Sequence, residues 1–182
     1  IGVAILWQAN RHAQSSADFE KNNVVLGRYF SPDIKNEIEE TGLNFSEYIP
    51  KNLNVAVLFT DIVSFTKLSE KMEPNDVLEL LSEYQTIMVE CIFEFNGTVD
   101  KFIGDAVMAN FGTPKSYGND AQNAFNCAKK MKSMLHEWNK NRIDNRQKVI
   151  EHRIGIHYGE CIVGNVGGEK RVEYTVLGDT VN

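Results

Sequence analysis

Apolar and polar positions between residues 55 and 182 alternate between strand and helix periods. Val55-Ala56-Val57-Leu58-Phe59-Thr60-Asp61-Ile62 is an apolar run of strand length, rich in β-branched residues, and predicts a strand buried on both faces. Glu73-Pro74-Asn75-Asp76 then starts a helix. Behind it Val77, Leu80, Leu81, Tyr84, Ile87, Met88, Cys91, Ile92 and Phe95 recur at helical spacing up to Asn96-Gly97. Thr98–Ile103 and Ala106–Phe111 predict two strands joined by Gly104-Asp105, a dipeptide suited to a tight hairpin. After the break at Gly112-Thr113-Pro114, a second helix carries Ala121, Ala124, Phe125, Ala128, Met131, Leu135 and Trp138 on one face and ends in the charged loop 139–148. Residues 152–158 alternate, and Gly159-Glu160 predicts a turn into a strand over 161–166, a second hairpin. The Gly-rich loop 167–171 leads to a last strand, 174–177, before Gly178-Asp179.

Residues 8–30 are polar with sparse apolar positions and predict a helix or coiled-coil linker without a sustained heptad. Ser31-Pro32 starts a helix through Ile34 and Ile38 to Gly42, and 44–54 is a polar loop. The boundary falls near Leu53, giving a helical linker over 1–53 and a domain over 54–182. The apolar run 1–7, ending on Trp7 with Arg11 and His12 beyond, reads either as the cytoplasmic end of a membrane helix or as an apolar stripe of a soluble linker helix. Two Gly-turn hairpins demand antiparallel pairs. The element order therefore predicts an α+β, ferredoxin-like split βαβ sandwich, with a mixed, mainly antiparallel sheet and helices on one face.

Composition narrows the function. The 182 residues suffice for one domain plus an extension, and 42% hydrophobic with 24% charged residues is ordinary for a globular chain. A net charge of −6 excludes nucleic acid as a general partner, because no basic excess exists to neutralise phosphates. Cys91, Cys127 and Cys161 are widely spaced and flanked by apolar residues, so they read as reduced core thiols of a cytoplasmic domain. The start at Ile1 and the stop at Asn182 inside a motif predict a piece of a longer polypeptide, truncated at its C-terminus.

The candidate chemistry lies in two carboxylates. Asp61 closes a buried strand, where an ionised side chain is either a ligand or the cap of a short helix beginning near Val63. Asp105 sits at a hairpin tip, where it is either a turn residue or a second ligand. In the predicted topology the first strand is central and the hairpin lies beside it, so the two carboxylates can face each other. Held that close they repel unless a cation lies between them, and hard oxygen donors favour divalent metals. With the Gly-rich basic loop this suggests nucleotide phosphate chemistry. No P-loop and no GxGxxG stretch is present.

Four ordered segments carry a resemblance: Phe59-Thr60-Asp61-Ile62-Val63-Ser64-Phe65-Thr66, Lys101-Phe102-Ile103-Gly104-Asp105-Ala106-Val107-Met108, Gly155-Ile156-His157-Tyr158-Gly159 and Leu177-Gly178-Asp179-Thr180-Val181-Asn182. Together they resemble the class III nucleotidyl cyclase catalytic domain, and Leu26-Gly27-Arg28-Tyr29-Phe30-Ser31-Pro32 resembles the segment that commonly precedes it. The resemblance implies a head-to-tail homodimer with active sites at the shared interface. It implies that Asp61, Asp105 and the Ile62 carbonyl hold two Mg²⁺ or Mn²⁺ ions, and that amides near Phe65 and Thr66 cradle phosphates. Lys101 and Thr175 resemble the base-selecting pair. Lys donates only, Thr donates and accepts, and the pair complements adenine. Asn182 matches the Asn that orients the ribose, and the Arg expected four positions later lies beyond the chain. Lys170 or Arg171 either contacts the triphosphate or is a solvated loop charge. The implied activity is conversion of ATP to 3′,5′-cyclic AMP and pyrophosphate, under control of an upstream sensor or membrane region. A guanylate cyclase and a non-catalytic dimerisation or nucleotide-sensing module are the alternatives.

Overall fold

The computed structural model describes residues 50–168 and 171–182. The expectations for residues 1–49 lie outside the described residues, as does Lys170. The elements are β1 (Lys51–Ile62), α1 (Phe65–Ser69), α2 (Pro74–Glu94), β2 (Thr98–Ile103), β3 (Ala106–Phe111), α3 (Asp120–Asp144), β4 (His152–Gly168) and β5 (Arg171–Leu177). Because β1 begins at Lys51, Leu53 is already inside the strand, opposite Cys161.

The sheet runs β2-β3-β1-β4-β5. All four described pairings are antiparallel, where the sequence suggested a mixed, mainly antiparallel sheet. The parallel relations are between strands that are not neighbours: β1 with β2 across β3, β3 with β4 across β1, and β1 with β5 across β4. That is the split βαβ arrangement. The centre of β1 is buried on both sides as its composition requires. Ala56 and Leu58 join the core under the helices with Tyr84, Met88, Ile92, Phe111 and Met131, while Val55 and Val57 join Met108, Cys161, Val163 and Val176 on the other face. The two long helices, α2 and α3, lie on the first face and bury Leu80, Cys91, Cys127 and Leu135 there. All three cysteines are free and buried. Burial pushes the Cys91 thiol up to about 11 and the Cys127 thiol up to about 12, so they are inert core groups.

Local chemistry explains the element ends. Pro74 opens α2 where its missing N–H costs nothing. Beyond Glu94, Asn96 takes a left-handed φ of 58° and the Gly97 amide returns to the Ile92 carbonyl at 2.8 Å. Gly97 is required at that point, since a Cβ there would meet the Phe111 ring at 2.6 Å. Gly104, with φ 63°, closes the two-residue turn between Ile103 and Ala106, as the sequence predicts.

Two expectations change. The charged loop 139–148 is helical up to Asp144. Arg142 is buried in it, stacked on Trp138 at 4.7 Å and donating its Nε to the Lys148 carbonyl at 2.8 Å, so a residue read as a loop charge extends the helix. The second hairpin is also not where Gly159-Glu160 placed it. β4 passes through both residues without a turn, pairing with β1 from Ile62↔His152 to Lys51↔Val163 and then with β5 from Ile162↔Leu177 to Gly168↔Arg171. Gly159 serves close approach instead: a Cβ there would stand 2.6 Å from Thr180 Oγ1. The reversal lies between Gly168 and Arg171, so β4 outruns β1 and carries β5 to the opposite edge strand, β2.

Candidate active site

Asp61 and Asp105 stand at the ends of adjacent strands because of the β1–β3 register. Thr60 lies opposite Val107, which brings Ile62 level with the hairpin tip. There the Ile62 amide donates to Asp105 Oδ2 at 2.9 Å. Asp61 does not cap α1. That position belongs to Ser64, in a left-handed conformation and without a side-chain capping bond. The Asp61 carboxylate is instead gripped by Arg153 on β4, with Nε to Oδ1 at 3.2 Å and Nη2 to Oδ2 at 2.9 Å. Asp61 and Arg153 are direct partners in the β1–β4 register, one pair before Ile62↔His152.

Beneath this pair Thr60 bonds to Tyr84 at 2.7 Å, and His152 Nδ1 lies 3.4 Å from both hydroxyls. Burial pushes the Tyr84 phenol well above its ordinary value, and the charges of Asp61 and Asp105 add to the rise, although the Thr60 bond works against it. Burial lowers the His152 imidazole, helped by Lys132, against the opposing pull of Asp61. The floor of the site is therefore a neutral, hydrogen-bonded layer under two carboxylates.

These residues fit a divalent cation. Each strand end offers one hard carboxylate, and a guanidinium already occupies the cation's place on Asp61. No group of three or more His, Cys, Asp or Glu side chains that could hold a metal occurs among the described residues. Two carboxylates without a third suit Mg²⁺ or Mn²⁺ of the kind completed by substrate phosphates, rather than an all-protein cage. Phe65 and Thr66 open α1 just beyond Asp61, with Phe65 packed against the helix-side core and Thr66 exposed.

A second group forms where β5 meets β2. The β2–β3 register slips between Val99 and Lys101, a bulge that turns Asp100 inward. Thr175 Oγ1 donates to Asp100, 2.8 and 2.9 Å from its two oxygens, and Asn110 Nδ2 donates to Asp100 Oδ2 at 3.3 Å. Lys101 Nζ lies 3.5 Å from Asp100 and 3.0 Å from Glu173. Burial pulls the Lys101 ammonium down, but Glu173 and Asp100 outweigh it and the net shift is upward. The structure thus brings Lys101 and Thr175 together, each already engaged with a carboxylate. Asn182 is exposed, in the turn after β5, where its amide donates to the Asp179 carbonyl at 3.2 Å and Thr180 Oγ1 anchors the segment to the Glu160 carbonyl at 2.8 Å.

Sequence reasoning missed Arg153, Asp100 and Glu173. Arg153 had a usable signal, a charge beginning the alternating stretch that pairs with β1. Asp100 and Glu173 had none, because the contact joining them spans both edges of the sheet. Two clefts of about 430 and 830 Å³ lie elsewhere, one against α1, α2 and the end of α3, the other between α3 and the start of β4.

The fold and the paired carboxylates place the chain in a family. Residues 47–182 match the adenylate and guanylate cyclase catalytic domain, and the chain belongs to that family. Its curated relatives include adenylate cyclase 1 of Rhizobium meliloti, 32% identical over 81% of this chain, and an adenylate cyclase of Anabaena cylindrica, 38% identical over 70%. The aligned part spans 25% of each of those proteins. Among solved structures, the guanylyl cyclase Cya2 aligns with a TM-score of 0.68 at 36% identity, covering 72% of this chain and 66% of that one. The adenylyl cyclase CyaB from P. aeruginosa aligns at 0.66 and 36%, covering 73% and 69%. A bacterial light-regulated adenylyl cyclase aligns at 0.77 and 27%, covering 92% and 48%.

Proposed function

We propose that this chain is the catalytic domain of an adenylate cyclase, converting ATP to 3′,5′-cyclic AMP and pyrophosphate. The observation that carries the reading is the register that sets Asp105 on the Ile62 amide at 2.9 Å, beside Asp61 at the end of the neighbouring strand. In the reaction the ribose 3′-oxygen loses its proton and bonds to the α-phosphorus, and the bond from that phosphorus to the bridging β-phosphate oxygen breaks. Asp61, Asp105 and the Ile62 carbonyl would hold two divalent ions, which when bound lower the pKa of the 3′-hydroxyl and offset triphosphate charge. The rest falls to the chain's own groups. Amides at the start of α1 face phosphate oxygens, a role supported by the absence of a side-chain cap at Ser64. Lys101 donates to adenine N1 and Thr175 meets the N6 amino group. Asn182 orients the ribose, and Lys170 contacts the triphosphate.

The two groups of site residues work as halves. In this reading two copies pair head to tail, so that one copy's carboxylates meet its partner's Lys101 and Thr175. Regulation comes from a domain elsewhere in the same polypeptide, a view supported by relatives about four times the length of the aligned part. No described helix is long and apolar enough to cross a membrane, and anchoring would come from outside these residues.

One observation favours a second reading. Glu173, 3.0 Å from Lys101, puts a carboxylate acceptor beside the base-selecting pair, where it could take the N1–H of guanine. The test is cyclic nucleotide formation by the full-length protein with Mn²⁺ and either ATP or GTP, alongside Asp61→Ala and Asp105→Ala. Cyclic AMP as the main product, lost in both variants, is the expected result. Full activity in either variant overturns the paired-carboxylate reading, and a preference for GTP selects the guanylate alternative.

A further inference from the structure

We propose that Asp100 is a positioning residue that fixes the polarity of the Thr175 hydroxyl and thereby makes the site select an amino group on the base. The inference rests on the adenylate cyclase reading and says what enforces its choice of base. A threonine hydroxyl has one proton and two lone pairs, so alone it can donate to a keto oxygen or accept from an amine. Here it is not alone. Thr175 Oγ1 sits 2.8 and 2.9 Å from the two oxygens of Asp100, whose side chain is wholly enclosed, at 0% exposure.

Among the described residues every other group on that carboxylate is a donor as well: Asn110 Nδ2 at 3.3 Å, Lys101 Nζ at 3.5 Å and the Val176 amide. A carboxylate ringed by donors accepts only, so the single proton of Thr175 is committed to Asp100. Thr175 is itself 4% exposed, and water does not compete for it. What remains for a ligand is lone pairs. Beside it Lys101 can only donate, and it must turn from Glu173 to meet the base.

An edge facing this pair must present a donor to Thr175 and an acceptor to Lys101. Adenine does so with its N6 amino group and N1. Guanine presents O6 and N1–H and meets like against like at Thr175 and Lys101; even with Glu173 accepting its N1–H, its O6 still faces the lone pairs of Thr175. Threonine by its own chemistry would tolerate either base, and Asp100 removes the tolerance.

The test compares kcat/KM for ATP, GTP and inosine triphosphate in the full-length protein and in Asp100→Asn, with folding followed by circular dichroism and thermal melting. In the wild type, inosine triphosphate should be used as poorly as GTP, because its O6 and N1–H are refused without any need to sense the 2-amino group. Use within about threefold of ATP overturns the proposal with no variant required. In Asp100→Asn the hydroxyl can turn, and the ATP:GTP ratio should fall about tenfold, the value of one hydrogen bond set right or wrong. A ratio unchanged within twofold overturns it. Adding Thr175→Asp to Asp100→Asn installs an acceptor that needs no orienting and should restore the preference for ATP, which a merely structural loss would not allow. A folded double variant that stays unselective overturns the proposal. If the wild type makes no cyclic nucleotide or prefers GTP, the adenylate cyclase reading fails. If it is selective for ATP and Asp100→Asn leaves that intact, only the role of Asp100 fails.

Discussion

The guanidinium of Arg153 holds the Asp61 carboxylate at two points, 3.2 and 2.9 Å, across the β1–β4 ladder. A divalent ion on Asp61 must share that carboxylate with Arg153 or displace it. Arg153 is 70% exposed and Asp61 38%, so the fork is weak, worth at most about 1 kcal/mol. Arg153→Gln is therefore expected to tighten Mn²⁺ binding to the nucleotide-free protein up to about fivefold. Free Mn²⁺ measured by electron paramagnetic resonance would report it, with Asp61→Asn as the variant that loses the site. Binding unchanged or weakened in Arg153→Gln would show that the fork does not compete with metal.

Lys101 and Thr175, proposed above to select the base, can be exchanged as a unit. Lys101→Glu with Thr175→Cys should move the kcat/KM ratio from ATP towards GTP, since both positions then reverse polarity. The exchange carries a stability cost that the structure makes explicit. Lys101 is the cation facing both Asp100 and Glu173, and a glutamate there would be a third carboxylate in one cluster. A loss of about 1–2 kcal/mol is expected in denaturant melts, against a smaller loss for Lys101→Gln. Equal stability of the two Lys101 variants would deny the cluster its electrostatic character.

Asp100 also sets a pH dependence. Burial raises its carboxyl above the ordinary value of 3.8, against the lowering effects of Thr175, Lys101 and the Val176 amide. A carboxyl whose folded pKa exceeds its unfolded one binds more protons when folded in the window between the two. Its contribution to stability therefore falls as pH rises through that window. Relative to Asp100→Asn, the wild type should gain melting temperature as the pH is lowered from about 7 towards about 4. A difference independent of pH would mean that Asp100 ionises as easily folded as unfolded.

Gly159 gives a packing test. An alanine there must push Thr180 off the Glu160 carbonyl and loosen the turn that carries Asn182. Gly159→Ala is expected to cost about 1–3 kcal/mol. Adding Thr180→Ala removes the clashing atoms, so the pair should cost less than the sum of the single changes. Additive losses would place the strain elsewhere.

The sequence by itself determined the elements and their order up to the second long helix, because hydrophobic period and turn chemistry are local. The apolar run of β1, the Pro74 start and the Gly104-Asp105 hairpin all follow from neighbours within a few residues. It also pointed to Asp61 and Asp105, since a carboxylate closing a buried strand is conspicuous wherever that strand goes. Gly159 misled because a glycine placed for close approach and one placed for a turn look the same until the contact partner is known. Arg142 misled for a like reason, as Trp138, the Lys148 carbonyl and Glu83 together make its burial tolerable. The tertiary structure alone decided what surrounds the chemistry. Arg153 reaches Asp61 from a strand 92 residues away, and Thr175 is committed to Asp100 from 75 residues away. The first follows from the β1–β4 register, and the second from β4 running on past Lys51 with β5 paired to it. Only register and strand length bring those charges together, and neither is written in any short stretch of chain.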